Sequence, residues 1–239
     1  YDIRGIYNID FNKEDAYKIG FFLSQLLNTD KILVGRDARK SSPEIFEFLT
    51  RGIMDSGSDV YDIGLATTPM VYYFTAQYHF DASIQITASH NPKEYNGLKV
   101  SRTNALPVGF DSGLKELEEL VKTVKVNPVE QKGTLHSLLV KDEYISFLEK
   151  YKKDISNLKI AMDCSNGMAG ILVKDIWGNQ PEYLFEELDG NFPNHEPNPL
   201  EEENVEKLSH LVKKIGADIG VIFDGDADRV MFVDEKGQF

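Results

Sequence analysis

Short apolar runs alternate with amphipathic stretches along this chain, and that alternation limits its fold more than any other feature. Residues 31–35 read KILVG, residues 59–63 read DVYDI, and residues 84–87 read IQIT. Helical patterns lie between them. Residues 13–28 place Tyr17, Ile19, Phe22, Leu23, Leu26 and Leu27 at helical spacing. Ser41 or Ser42, with Pro43 and Glu44, opens a second helix that Gly57 closes, and residues 69–77 predict a third. Repeated β-turn-α-β of this kind predicts a mainly parallel, helix-flanked sheet.

The pattern is then used again. Residues 112–125 form an acidic-to-basic amphipathic helix. Residues 126–136 carry Pro128 and Gly133 without periodicity and read as a domain boundary. A helix near 142–152, a strand at 159–163, a turn at Asn166-Gly167 opening a helix, and a strand at 183–187 follow. A polar Pro/Asn-rich loop at 190–199, a helix at 201–215 and a strand at 218–224 complete the second unit. The fold class expected is α/β: two tandem three-layer α/β/α domains with mainly parallel mixed sheets, 1–136 and 137–239. A length of 239 residues is enough for two ordinary domains.

Composition narrows the class of function. With 41% hydrophobic and 27% charged residues, the chain is that of a soluble globular protein, not a disordered one. No apolar run is long enough to span a membrane, so no membrane partner is expected. A net charge of −13 argues against nucleic acid as a partner. The same charge would repel a phosphorylated ligand unless local Arg, Lys or metal charge overcomes it. One cysteine, Cys164, fits a reducing, cytoplasmic setting. The chain opens on Tyr1 rather than Met and stops just past a turn, which reads as a piece of a longer protein. Whether it is a monomer or a homodimer is left open.

Two stretches carry candidate chemistry. The first follows the strand at 84–87: Ala88-Ser89-His90-Asn91-Pro92, with a second turn signal at Asn96-Gly97. A serine beside a histidine at the end of a buried strand is placed for covalent chemistry, but the spacing alone favours a capped turn. The second is Asp224-Gly225-Asp226-Ala227-Asp228-Arg229, between two apolar runs. Three carboxylates at alternate positions repel one another without a cation, and oxygen ligands suit a hard divalent ion such as Mg²⁺. The alternatives are a solvated acidic turn and a phosphatase-type loop with Asp224 as nucleophile. A calcium EF-hand is rejected, because Arg229 stands where its glycine belongs and the flanks read as strands.

Together, Thr87–Pro92 and Asp224–Arg229 resemble the α-D-phosphohexomutase family of phosphomannomutases and phosphoglucomutases. Tyr1-Asp2-Ile3-Arg4-Gly5, Gly35-Arg36-Asp37-Ala38-Arg39 with Ser41-Ser42, Gly64 with Thr68-Pro69, and Asn96-Gly97-Leu98-Lys99 fall in the same order as that family's motifs. The resemblance covers the first two of the family's four domains; domains III and IV find no counterpart. It implies reversible phosphoryl transfer between C1 and C6 of a hexose phosphate, through a phosphoserine at Ser89 and a hexose 1,6-bisphosphate intermediate. It implies one Mg²⁺ held by Asp224, Asp226, Asp228 and an oxygen of the Ser89 phosphate. Arg4 and Lys99 would handle the proton or charge of the sugar hydroxyl, with Lys99 the better acid/base because an arginine does not ordinarily deprotonate. His90 would orient the loop or contact phosphate, and Asn91 and Arg229 would complete the site. Asp37 and Arg39 are expected to pair beneath it. The missing domains imply little mutase turnover from residues 1–239 alone. The rival readings are a Mg²⁺ phosphatase and a sugar-phosphate-binding module without catalysis.

Overall fold

The computed structural model describes residues 2–239; Tyr1, the first residue of the N-terminal motif, lies outside the described residues. The chain divides into two compact units. One holds the chain up to Ala88 together with Glu94–Leu138, and the other holds Ser89–Lys93 and Leu139–Phe239. Among the described residues no helix is long and apolar enough to cross a membrane.

The first unit is built on a mixed sheet of β1 (Ile3–Ile6), β2 (Lys31–Arg36), β3 (Asp59–Leu65), β4 (Ala82–Ile86), β5 (Tyr95–Arg102), β6 (Leu106–Pro107) and β7 (Leu135–Ser137). Its order is β1-β5-β4-β2-β3-β7, with β6 paired to β5. Strands β4, β2, β3 and β7 are parallel neighbours, whereas β5 runs antiparallel to both β4 and β1. Helix α1 (Lys13–Leu26) starts at Asn12, whose side chain accepts from Glu14 N and Asp15 N while Asp15 bonds back to the Asn12 amide. That capping box satisfies amide groups the helix cannot. Ile19, Phe22 and Leu23 of α1 and Ile45, Leu49 and Ile53 of α2 (Ser42–Asp55) pack on Ile32, Val34, Ile84 and Ile86. Each such side chain contributes roughly 1.5–3 kcal/mol on burial. Helix α3 (Thr68–Gln77) follows β3, and α4 (Leu114–Thr123) buries Leu114 and Leu117.

Two details depart from the sequence reading. Asn96-Gly97 is no turn but lies inside β5, with Gly97 opposite Arg4 of β1. A Cβ there would stand 2.1 Å from Ile3 O, so the glycine serves close strand approach. Ser41 makes no side-chain cap to α2. Its hydroxyl accepts from Asn96 instead, because a buried amide has greater need of a partner than a helix end does. Residues 126–136, which the sequence reading put at the end of the first domain, are tied to the first unit. Val129 N donates to Asp55 O, Gly133 N donates to Met54 O, and β7 pairs with β3.

The second unit holds α5 (Lys141–Glu149), β8 (Ile160–Asp163), α6 (Val173–Trp177), β9 (Glu182–Leu184), α7 (Glu202–Ile215), β10 (Ile219–Phe223) and β11 (Val230–Val233). The sheet order is β11-β10-β8-β9, parallel except at the β10–β11 edge. Val205, Leu208 and Val212 on one face of α7 bury against Ala161, Ile222 and Val233, the i, i+3, i+7 stripe that its sequence carries. The helix expected from Gly167 is a single 3₁₀ turn, Met168–Ile171, followed by the short α6.

Candidate active site

Strand β10 ends at Phe223 and β11 begins at Val230, so Asp224–Arg229 forms the connection of an antiparallel pair. Asp224 closes it. Its amide donates to Arg229 O (3.2 Å), and its Oδ1 accepts from the amides of Asp228 and Arg229, each at 3.1 Å. Asp224 and Asp226 are fully buried and Asp228 is exposed. One carboxylate oxygen from each of the three lies within 4.8 Å of the others. Burial, then the charges of Asp226 and Asp228, push the Asp224 carboxyl up to about 8, against the pull of Arg229. Buried carboxylates that repel one another form the donor set a hard divalent cation would satisfy. The flanking strands leave no helix for an EF-hand.

Beyond β4 the chain turns at Ser89, which is buried and holds a left-handed φ of +53°. Ser89 Oγ donates to Asp224 Oδ2 at 2.9 Å and accepts from Arg229 Nη2 at 2.9 Å. Arg229 Nε lies 3.2 Å from Asp224 Oδ2 and 3.6 Å from Asp228 Oδ1. The same guanidinium donates to His90 Nδ1. Asn91 is half-buried on this turn. These bonds explain why Ser89–Lys93 groups with the second unit although its flanking strands belong to the first. Ser89, His90, Arg229 and the acidic cluster therefore meet in one unit, which their separation in sequence did not reveal.

Arg4 and Lys99 stand on the sheet of the first unit. Arg4 is opposite Gly97 in the β1–β5 register, and Lys99 is two residues beyond Gly97, so both side chains share one sheet face as diagonal neighbours. Arg4 also pairs with Asp2.

A buried network lies within the first unit, on Asp37 and Arg39. Asp37 accepts from the Arg39 amide (3.0 Å), Arg39 Nε (3.1 Å), Ser42 Oγ (2.6 Å) and Thr87 Oγ1 (2.7 Å). Arg39 Nη1 donates to Tyr95 O at 3.1 Å, and Asn96 Nδ2 donates to the hydroxyls of Ser41 and Ser42. Burial raises the pKa of Asp37 while the guanidinium and hydroxyls pull it down. Thr87 and Asn96 were read from sequence only as members of their motifs, and no network role was assigned to them. Cys164 is buried, and burial raises its pKa further above the thiolate range, so it is no nucleophile.

The family models place this architecture. Residues 1–127 match phosphoglucomutase/phosphomannomutase alpha/beta/alpha domain I, and residues 142–237 match alpha/beta/alpha domain II. The chain belongs to the phosphoglucomutase/phosphomannomutase family. An Escherichia coli phosphomannomutase is 37% identical over 253 residues, covering 100% of this chain and 55% of that protein. A phosphomannomutase/phosphoglucomutase of Pseudomonas syringae pv. tomato is 38% identical over 247 residues, covering 99% and 51%. The crystal structure of a phosphoglucomutase/phosphomannomutase family protein from Burkholderia thailandensis superposes with a TM-score of 0.88 at 32% identity, over 100% of this chain and 54% of that one. The chain thus spans about half the length of the curated relatives it matches.

Proposed function

We propose that this chain carries the phosphoryl-transfer centre of a hexose-phosphate mutase of the phosphomannomutase/phosphoglucomutase type, with Ser89 as the phosphorylated residue. One observation supports this above the others: Ser89 Oγ lies 2.9 Å from both Asp224 Oδ2 and Arg229 Nη2. A hydroxyl so placed meets a proton acceptor on one side and a fixed positive charge on the other. Phosphoryl transfer needs positioning and charge neutralisation more than a strong nucleophile. From phosphoSer89, the Oγ–P bond breaks as a bond forms from phosphorus to a sugar hydroxyl oxygen. The electron pair stays on Oγ, beside the Arg229 guanidinium. The hydroxyl proton passes to a base, a role for which Lys99 is the residue type suited. Reversal with the other phosphate of the hexose 1,6-bisphosphate restores phosphoSer89 and completes a shift between C1 and C6.

Asp224, Asp226 and Asp228, with an oxygen of the Ser89 phosphate, would hold one Mg²⁺. Bound there, the ion supplies charge neutralisation for the phosphoryl oxygens. For Arg4 and Lys99 the support is their shared face on β1 and β5 together with chemistry: guanidinium offers fixed charge and lysine can exchange a proton. His90 orients Arg229, and Asn91 lines the turn. The single buried cysteine fits a reducing, cytoplasmic setting.

The phosphatase alternative makes Asp224 the nucleophile, whereas its Oδ2 lies 2.9 Å from Ser89 Oγ and 3.2 Å from Arg229 Nε, contacts that suit a partner of Ser89. The test is exposure to glucose or mannose 1,6-bisphosphate with Mg²⁺, followed by intact mass and peptide mapping. One phosphate on Ser89, absent in Ser89→Ala, is expected. Phosphate release undiminished in Ser89→Ala would point to the phosphatase; ligand binding without any phosphorylation would point to a binding module.

A further inference from the structure

Two loops of the second unit, which the proposed chemistry leaves unused, hold the acidic loop between them. One is the turn after β8. Ser165 and Asn166 there hold φ of +53° and +52°. Ser165 Oγ donates to Phe223 O at 2.6 Å, on the residue before Asp224, and Met168 N donates to Gly225 O at 2.9 Å. A Cβ on Gly167 would stand 2.7 Å from that same oxygen, so backbone packs directly on backbone. The other is the Pro/Asn-rich loop at 190–199. A Cβ on Gly225 would meet Pro197 Cβ at 3.3 Å and Ser89 O at 2.5 Å. Gly225, between Asp224 and Asp226, is enclosed on every one of these sides.

A buried ion pair joins the two loops. His195 Nε2 lies 3.1 Å from Asp163 Oδ2, with side chains 6% and 0% exposed. The second Asp163 oxygen accepts from the Ser165 amide at 2.8 Å. His195 Nδ1 lies 2.7 Å from Glu196 O. A carboxylate and a carbonyl only accept, so both ring nitrogens donate and the ring is an imidazolium. Burial opposes that charge, but the hydrogen bond and charge of Asp163 outweigh it and raise the pKa of the ring. Phe185 packs edge-on to the ring at 5.4 Å, and Asn194 Nδ2 donates to Asn166 Oδ1 at 2.9 Å as a second tie.

We propose that His195 is a positioning residue for the acidic loop: through Asp163 it clamps residues 165–168 and 194–197 about Gly225, and so sets the spacing of Asp224 and Asp226 for a divalent cation. The inference rests on reading Asp224, Asp226 and Asp228 as a divalent-cation site. Mn²⁺ is the probe, with free ion counted by electron paramagnetic resonance as the full chain is titrated. His195→Ala is expected to weaken Mn²⁺ binding about tenfold, as loss of a group supporting metal ligands does. His195→Gln, whose amide can still donate to Asp163, recovers most of the affinity. Leu208→Val, in the α7 core, lowers the unfolding midpoint and leaves Mn²⁺ affinity unchanged. Should His195→Ala fail to fold, the near-isosteric Asp163→Asn is expected to show the same loss. Affinity in these variants no weaker than in Leu208→Val overturns the inference while the cation site stands. Absence of Mn²⁺ binding by the unaltered chain is a different result: it removes the cation reading, and the inference falls with it.

Discussion

Ser89 occupies a backbone conformation that serine rarely adopts, with φ at +53°. Strain of this kind persists only where surrounding contacts over-determine it, and here those contacts are Asp224 and Arg229. Two substitutions separate the backbone from the hydroxyl. Both Ser89→Gly and Ser89→Ala lack Oγ, yet only glycine adopts this φ freely. Ser89→Gly is therefore expected to be about 1 kcal/mol more stable than Ser89→Ala in urea unfolding. Equal stability would mean that the turn relaxes without cost. At this scale the sequence was legible in part. The Ser-His-Asn-Pro motif identified Ser89, but the left-handed φ and the Arg229 contact come from residues more than a hundred positions apart.

Among the elements, β1 and β5 are where local sequence misled. Asn-Gly is a strong turn signal, but the pair sits in a central strand. Strand β5 has neighbours on both sides, β4 and β1, and their ladders override the local preference. Gly97 is retained because Ile3 O approaches where a Cβ would lie, 2.1 Å away. Gly97→Ala is expected to cost about 1–3 kcal/mol of stability, as overpacking does. It should also displace Arg4 relative to Lys99, read as a change in the β1 amide shifts. Unchanged stability would show that β1 gives way freely. The helices were easier to read, since caps and apolar spacing are local: α1, α2, α3 and α7 begin within a residue of their expected starts.

On the scale of the whole molecule, the two units have separate hydrophobic clusters and a common excess of negative charge, −13 in total. Part of that repulsion is concentrated at Asp224, Asp226 and Asp228. The Asp224 carboxyl is pushed from 3.8 up to about 8 by burial and by its neighbours. A raised carboxyl pKa means the folded state binds the proton more tightly than the unfolded one. Metal-free stability from this group is present below about 4 and lost as pH rises toward about 8. A divalent cation held by the folded cluster, as proposed, would compete with that proton. The rise in Tm on adding Mg²⁺ is thus expected to be larger at pH 8 than at pH 6. An equal rise at both would place the ion elsewhere.

The sequence by itself determined the α/β class, the main helices and the strands between them, and it offered the residue types of the candidate site, because periodicity, caps and motif spacing are properties of neighbours along the chain. Tertiary structure alone decided the grouping of Ser89–Lys93 with the second unit, the placement of Asn96-Gly97 in a paired strand, and the clamping of the acidic loop through His195 and Asp163. Each depends on hydrogen bonds and burial between distant segments. Local propensities of about a kcal/mol cannot compete with leaving such buried polar groups unpaired.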